Sequence, residues 1–106
     1  MPKYMIQGSY TADGLKGLIK DKASGRKAAV SQALTAMGGK LESIYYTFGA
    51  DDVVVIAEAP DNVSAAALSL AASSTGLVQL RTTPLLTVEE TDQALAKSVS
   101  YRGPGN

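Results

Sequence analysis

The segment Asp52-Val53-Val54-Val55-Ile56-Ala57-Glu58-Ala59 constrains this chain more than any other. Its β-branched run reads as a strand, and side chains alternate along a strand. Val53, Val55 and Ala57 therefore point one way while Val54 and Ile56 point the other. An antiparallel strand facing water on one side shows clean apolar–polar alternation, which this one lacks. Both of its sides need cover.

The rest of the chain supplies a sheet around that strand. Lys3 to Tyr10 is extended in composition and stops at Thr11-Ala12-Asp13-Gly14, which predicts a first strand. A helix follows in two pieces: Asp13 to Ile19, an interruption over residues 20–25, and a stronger stretch with Val30, Ala33, Leu34 and Met37 at helical spacing, closed by Gly38-Gly39. Lys40 to Phe48 and Asp52 to Ala59 flank the short turn Gly49-Ala50-Asp51 and are expected to pair as a hairpin. A second helix runs from Val63 to Ser74, with Asp61 placed as its N-cap and Gly76 to end it. Its alanines (65, 66, 67, 71 and 72) suit close packing on whatever it covers. Leu77 to Leu86 is a fourth strand. Thr87 and Glu90 have capping-box spacing ahead of a third helix that reaches about Ser98. Residues 99–106 form an extended arm that only docking would order.

The order βαββαβ is the split βαβ arrangement, an α+β sandwich in which both crossover helices cover one side of a four-stranded antiparallel sheet. Ile6, Ile44, Tyr46, Val53, Val55, Val78 and Leu80 are expected under the helices. The opposite face then carries Met5, Gln7, Ser9, Tyr45, Thr47, Val54, Ile56, Glu58, Gln79, Arg81 and Thr83. That mixed face predicts a sheet-to-sheet contact with a second copy, enclosing a polar cavity.

Composition narrows the chemistry. The 106 residues form one domain, with ten basic and ten acidic side chains in balance, so no long-range field draws in nucleic acid or an anionic membrane. Cysteine and histidine are absent. Thiolate nucleophiles, disulfides, zinc held by Cys or His, haem on a proximal His and imidazole acid–base chemistry are thereby excluded. The start Met1-Pro2-Lys3-Tyr4 lacks a leader pattern, and no apolar run reaches the roughly 18 residues of a spanning helix, so a cytoplasmic location is expected.

Over Tyr45-Tyr46-Thr47-Phe48-Gly49-Ala50-Asp51-Asp52-Val53-Val54-Val55-Ile56, then Pro60-Asp61-Asn62 and Arg81-Thr82-Thr83-Pro84-Leu85-Leu86-Thr87, the chain resembles the GYD domain family. The resemblance spans nearly the whole length. It implies a ferredoxin-like fold of the dimeric α/β-barrel type, with two sheets packed face to face, and it implies no particular activity. Gly49 and Asp52 match the glycine and aspartate of the family's Gly-x-Tyr-Asp pattern. Asp51 stands where the tyrosine is expected, so a role needing that aromatic is not carried over.

Several residues are candidates for chemistry, each with a plainer reading beside it. Asp51 and Asp52 are adjacent carboxylates: converging on one cavity they would form a proton donor beside an acceptor, while acidic residues also simply suit turns. Glu58 is a candidate base, and Arg81 a grip for an anion with Gln7 on a strand between them; an interfacial ion pair is the plainer account. Among the strand tyrosines (4, 10, 45 and 46), Tyr45 is the preferred pocket residue, although strand tyrosines are more often core. Ser24-Gly25-Arg26-Lys27 opens a helix and could seat a phosphate, or be a solvated basic loop. Gly8 to Gly14 does not spell a dinucleotide fingerprint, and no cofactor or metal is assigned. The expected function is an oligomer of this chain that binds a small organic molecule, or a cofactor-independent enzyme of isomerase-like or oxygenase-like type. Asp52 and Glu58 would be catalytic and Gln7, Tyr45 and Arg81 would bind ligand. A non-catalytic sensing or assembly module is the alternative.

Overall fold

The computed structural model describes all of residues 1–106. Its elements are β1 (Lys3–Tyr10), α1 (Ala12–Ala36), β2 (Lys40–Tyr46), β3 (Val53–Glu58), α2 (Asn62–Ser73), β4 (Val78–Leu85) and α3 (Val88–Ala96). One sheet of order β2-β3-β1-β4 contains all four strands, each neighbouring pair antiparallel. Leu34, Val30 and Met37 from α1 and Leu68 from α2 pack on the same cluster of Ile6, Val53, Val55 and Ala57. Both crossover helices therefore lie on one side, as the split βαβ order requires.

The helix ends follow local chemistry. Thr11 caps α1, its side chain accepting from the Gly14 N–H, and Asp61 caps α2 by accepting from Ser64. Those bonds to Ser64 hold the Asp61 carboxyl below its ordinary value. Thr87 and Glu90 form a complete capping box at α3. Gly38 (φ 85°) and Gly76 (φ 72°) take the left-handed conformation just beyond α1 and α2, where a Cβ would be strained. The interruption expected in α1 shrinks to one residue: Lys22 sits at φ 63°, ψ 165°, and helix resumes on either side. That region is essentially reserved for glycine, and a lysine held there costs about 1–3 kcal/mol.

Strand two differs from simple alternation. Its register slips between Leu41 and Ser43, a β-bulge against β3. Leu41 and Ile44 both reach the core cluster although they are three positions apart, because the bulge absorbs the extra residue.

Only eight apolar residues are buried, Tyr4 and Leu34 being the largest enclosed side chains. The accessible surface is 7374 Å², against about 5,600 Å² for a compact monomer of 11.0 kDa. The radius of gyration is 16.7 Å, where about 13 Å is usual at this length. Part of the excess is α3, which has no buried residue, and the exposed segment after it. No helix is long and apolar enough to cross a membrane.

Candidate functional site

Strand register places the second-face residues in rows. Tyr45 pairs with Val54, Val54 with Gln7, and Gln7 with Arg81, so the three predicted ligand-binding side chains share one row across all four strands. The next row runs Ser43, Ile56, Met5, Thr83. Val54, Ile56 and Met5 thus form a half-buried apolar cluster on the two middle strands with Gln7 beside Val54, while Ser43, Thr83, Arg81 and the exposed Tyr45 ring lie on the edge strands.

Glu58 shares that face but lies four residues along β3 from Val54, about 13 Å down the strand. It pairs with Lys3 and Lys40 in a charged row at the far end. The structure therefore does not bring Glu58 to Arg81. Lys3 donates instead to Glu42 Oε2 (2.7 Å), and this bond raises the Lys3 ammonium above its ordinary value. Arg81 donates through Nη2 to Asp51 Oδ2 at 2.5 Å, and Ser9 Oγ lies 3.5 Å from the other carboxylate oxygen. Thr47 Oγ1 donates to the Asp51 carbonyl (2.5 Å), which fixes the loop carrying that acid.

The adjacent acids of this loop diverge. Asp51 reaches across the open face to Arg81, whereas Asp52 Oδ2 accepts the Tyr10 backbone N–H at 2.8 Å. The Asp52 N–H donates to the Gly8 carbonyl, and its own carbonyl accepts from Thr47 N, both at 2.8 Å. Asp52 in this way prolongs the ladder past the end of β3. The two carboxylates do not share a cavity.

A partly open space lies on the other side of the sheet. α1 packs mainly on β2 and α2 on β4, and between the helices a cavity of about 330 Å³ opens above the central strands. Ala29 and Ala33 of α1 face Ala71 and Ala72 of α2 across it. Ala65 at the start of α2 is buried in close packing, as the alanine-rich sequence suggests, but one to two turns later the same small side chains leave a gap. Ile6, Val53 and Val55 form its floor, and Arg26 is the one charged residue on its wall. The Ser24-Gly25-Arg26-Lys27 segment is therefore interior helix with one arginine turned toward the cavity, loosely paired to Asp21 at 3.7 Å.

Tyr10 also lines the cavity, and Tyr46 lies beside it, packed on the same core cluster. The Tyr46 hydroxyl is buried without a hydrogen-bond partner. Burial pushes this phenol up to about 12, and the neighbouring Tyr10 acts in the same direction. Alternation along β2 already turns Tyr46 inward, but its meeting with Tyr10 and Arg26 depends on how far apart the helices settle. Tyr4, the remaining strand tyrosine, is a core residue whose hydroxyl donates to Asn62 Oδ1 at 2.6 Å.

A four-stranded antiparallel sheet of this order with both crossover helices on one face defines a ferredoxin-like α+β domain. The chain belongs to the GYD domain family, which matches residues 4–95. No curated protein and no solved structure matches it.

Proposed function

We propose that this protein is a homo-oligomer that binds a small organic molecule, its open sheet face joined to the same face of another copy. The observation that carries this reading is the makeup of that face: Met5, Val54 and Ile56 on the two middle strands with Gln7 among them, and Ser43, Thr83 and Arg81 on the edge strands. An apolar centre with a polar rim is how protein interfaces are built. The accessible surface exceeds that of a compact monomer by about 1,800 Å², of which α3 and the segment beyond it account for a part, and a standard interface takes roughly 800 Å² from each partner. The geometry favours binding over turnover, because Asp52 is occupied by the Tyr10 N–H and Glu58 stands a strand's length from Arg81.

Native mass spectrometry of the purified protein tests both halves together. A multiple of 11.0 kDa carrying a co-purifying compound is expected. Ile56→Glu, which sets a charge in the centre of the face, should release monomers. A wild-type monomer at high concentration, or an Ile56→Glu variant of unchanged size, refutes the face-to-face association.

A second reading is favoured by α3 and the segment beyond it. Val88, Leu95, Val99 and Tyr101 are each at least three-quarters exposed. On that reading the chain is an assembly module whose arm locks onto a neighbour. Loss of the oligomer on removing residues 87–106, with Ile56→Glu still assembled, would favour it.

A further inference from the structure

The gap between α1 and α2 is large for a domain with so thin a core. Interiors are normally packed with few voids bigger than a water molecule, whereas this space is about 330 Å³ and sits above the centre of the sheet. Ligand sites begin near 300 Å³. Measured against the ~30 Å³ that one water occupies in the liquid, it suits a body of roughly ten to twenty non-hydrogen atoms. The gap is not a local irregularity: alanines at four positions on the two facing helices keep it open, where longer side chains would close it.

Its polar groups are few. Arg26 is the single charge on the wall and Tyr10 the single phenol, and the rest of the lining is apolar. One guanidinium on the wall of an apolar space is complementary to an anionic acceptor on a hydrophobic body.

We propose that this cavity is the protein's small-molecule site, and that it takes an apolar alkyl or aryl body bearing one carboxylate, held by Arg26. The carboxylate accepts from the guanidinium while the body lies between the alanine faces of α1 and α2 and the floor of β1 and β3. This assignment rests on the binding half of the reading above. It is independent of the sheet-to-sheet contact, which lies on the opposite side of the sheet.

Cinnamate and its neutral analogue cinnamamide are suitable probes, titrated into the full chain by calorimetry and by methyl-resolved NMR. Cinnamate should bind once per chain and shift the methyl signals of Ala29, Ala33, Ala71 and Ala72. Arg26→Gln should weaken cinnamate at least about tenfold, the scale of a lost hydrogen bond to a charged group, and leave cinnamamide unchanged. Ala71→Leu, which fills the space, should abolish both without altering the subunit number. Arg26→Gln keeps the test decisive if Ala71→Leu folds poorly, since that side chain is at the wall and only partly buried. Absence of saturable cinnamate binding at millimolar concentration, or binding that survives Ala71→Leu, overturns the site. An equal response of acid and amide to Arg26→Gln overturns the choice of a carboxylate. A co-purifying compound retained by Ala71→Leu would overturn the site while leaving the binding function standing.

Discussion

Gly14, in the first turn of α1, touches the chain entering β4 so closely that a Cβ added there would stand 1.8 Å from the Leu77 carbonyl oxygen and 2.9 Å from its carbon. Carbon–oxygen contacts of this kind are ordinarily about 3.3 Å or longer, so Gly14→Ala must part the two segments by about 1.5 Å. The Thr11 N–H bond to the Leu77 carbonyl and the Thr11 Oγ1 bond to the Gly76 carbonyl, both 3.0 Å, cross that junction and would be lost. Two hydrogen bonds at about 1 kcal/mol each, with about 1–3 kcal/mol of overpacking, give a loss of about 3–5 kcal/mol. For a domain of this size that lowers the melting temperature by about 12–30 °C. Gly17 lies three residues further along the same helix, and a Cβ there meets nothing within 4 Å. Gly17→Ala should stabilise by about 0.5–1 kcal/mol through the unfolded chain's lost freedom. Circular-dichroism melts and urea midpoints of the two variants check the pair. A Gly14→Ala protein melting within about 3 °C of the parent would refute the close approach of α1 to Leu77.

Tyr46→Phe removes a buried hydroxyl that has no partner, so the variant should be at least as stable as the parent in urea at neutral pH. The folded phenol titrates near 12 rather than 10, so between those values the unfolded chain has lost a proton that the folded one keeps, and stability falls as pH rises through this window. Alkaline melts should show a shallower fall for Tyr46→Phe. A double-mutant cycle on Asp51 and Arg81, both to alanine, should give a coupling of at most about 1 kcal/mol that shrinks in high salt, because the arginine is largely exposed. Thr87→Ala breaks the capping box and should speed amide exchange in α3 with almost no change in global melting, since α3 buries nothing. The bond from the Thr87 N–H holds the Glu90 carboxyl below its ordinary value, so the same fraying should appear in the parent as acid protonates it, the cap being present above that range and lost as pH falls through it.

The sequence by itself determined the order of the elements, their caps and the two faces of the sheet. Asp61, Thr87 with Glu90, Gly38 and Gly76 act on backbone groups within a few residues, and alternation along β1 and β3 is a property of extended backbone. Only the tertiary structure decided what shares a site. Glu58 and Arg81 are on one face by alternation, but their distance along the strands follows from pairing between segments far apart in sequence, which sends Arg81 to Asp51 and Glu58 to the lysine end. The bulge at Leu41 and Ser43 likewise depends on β3 rather than on β2. The cavity is the clearest case, because an alanine-rich helix can settle tightly or leave a gap. The spacing of α1 and α2 over the sheet, a sum over many long-range contacts, selected the gap and with it the company of Tyr10, Arg26 and Tyr46.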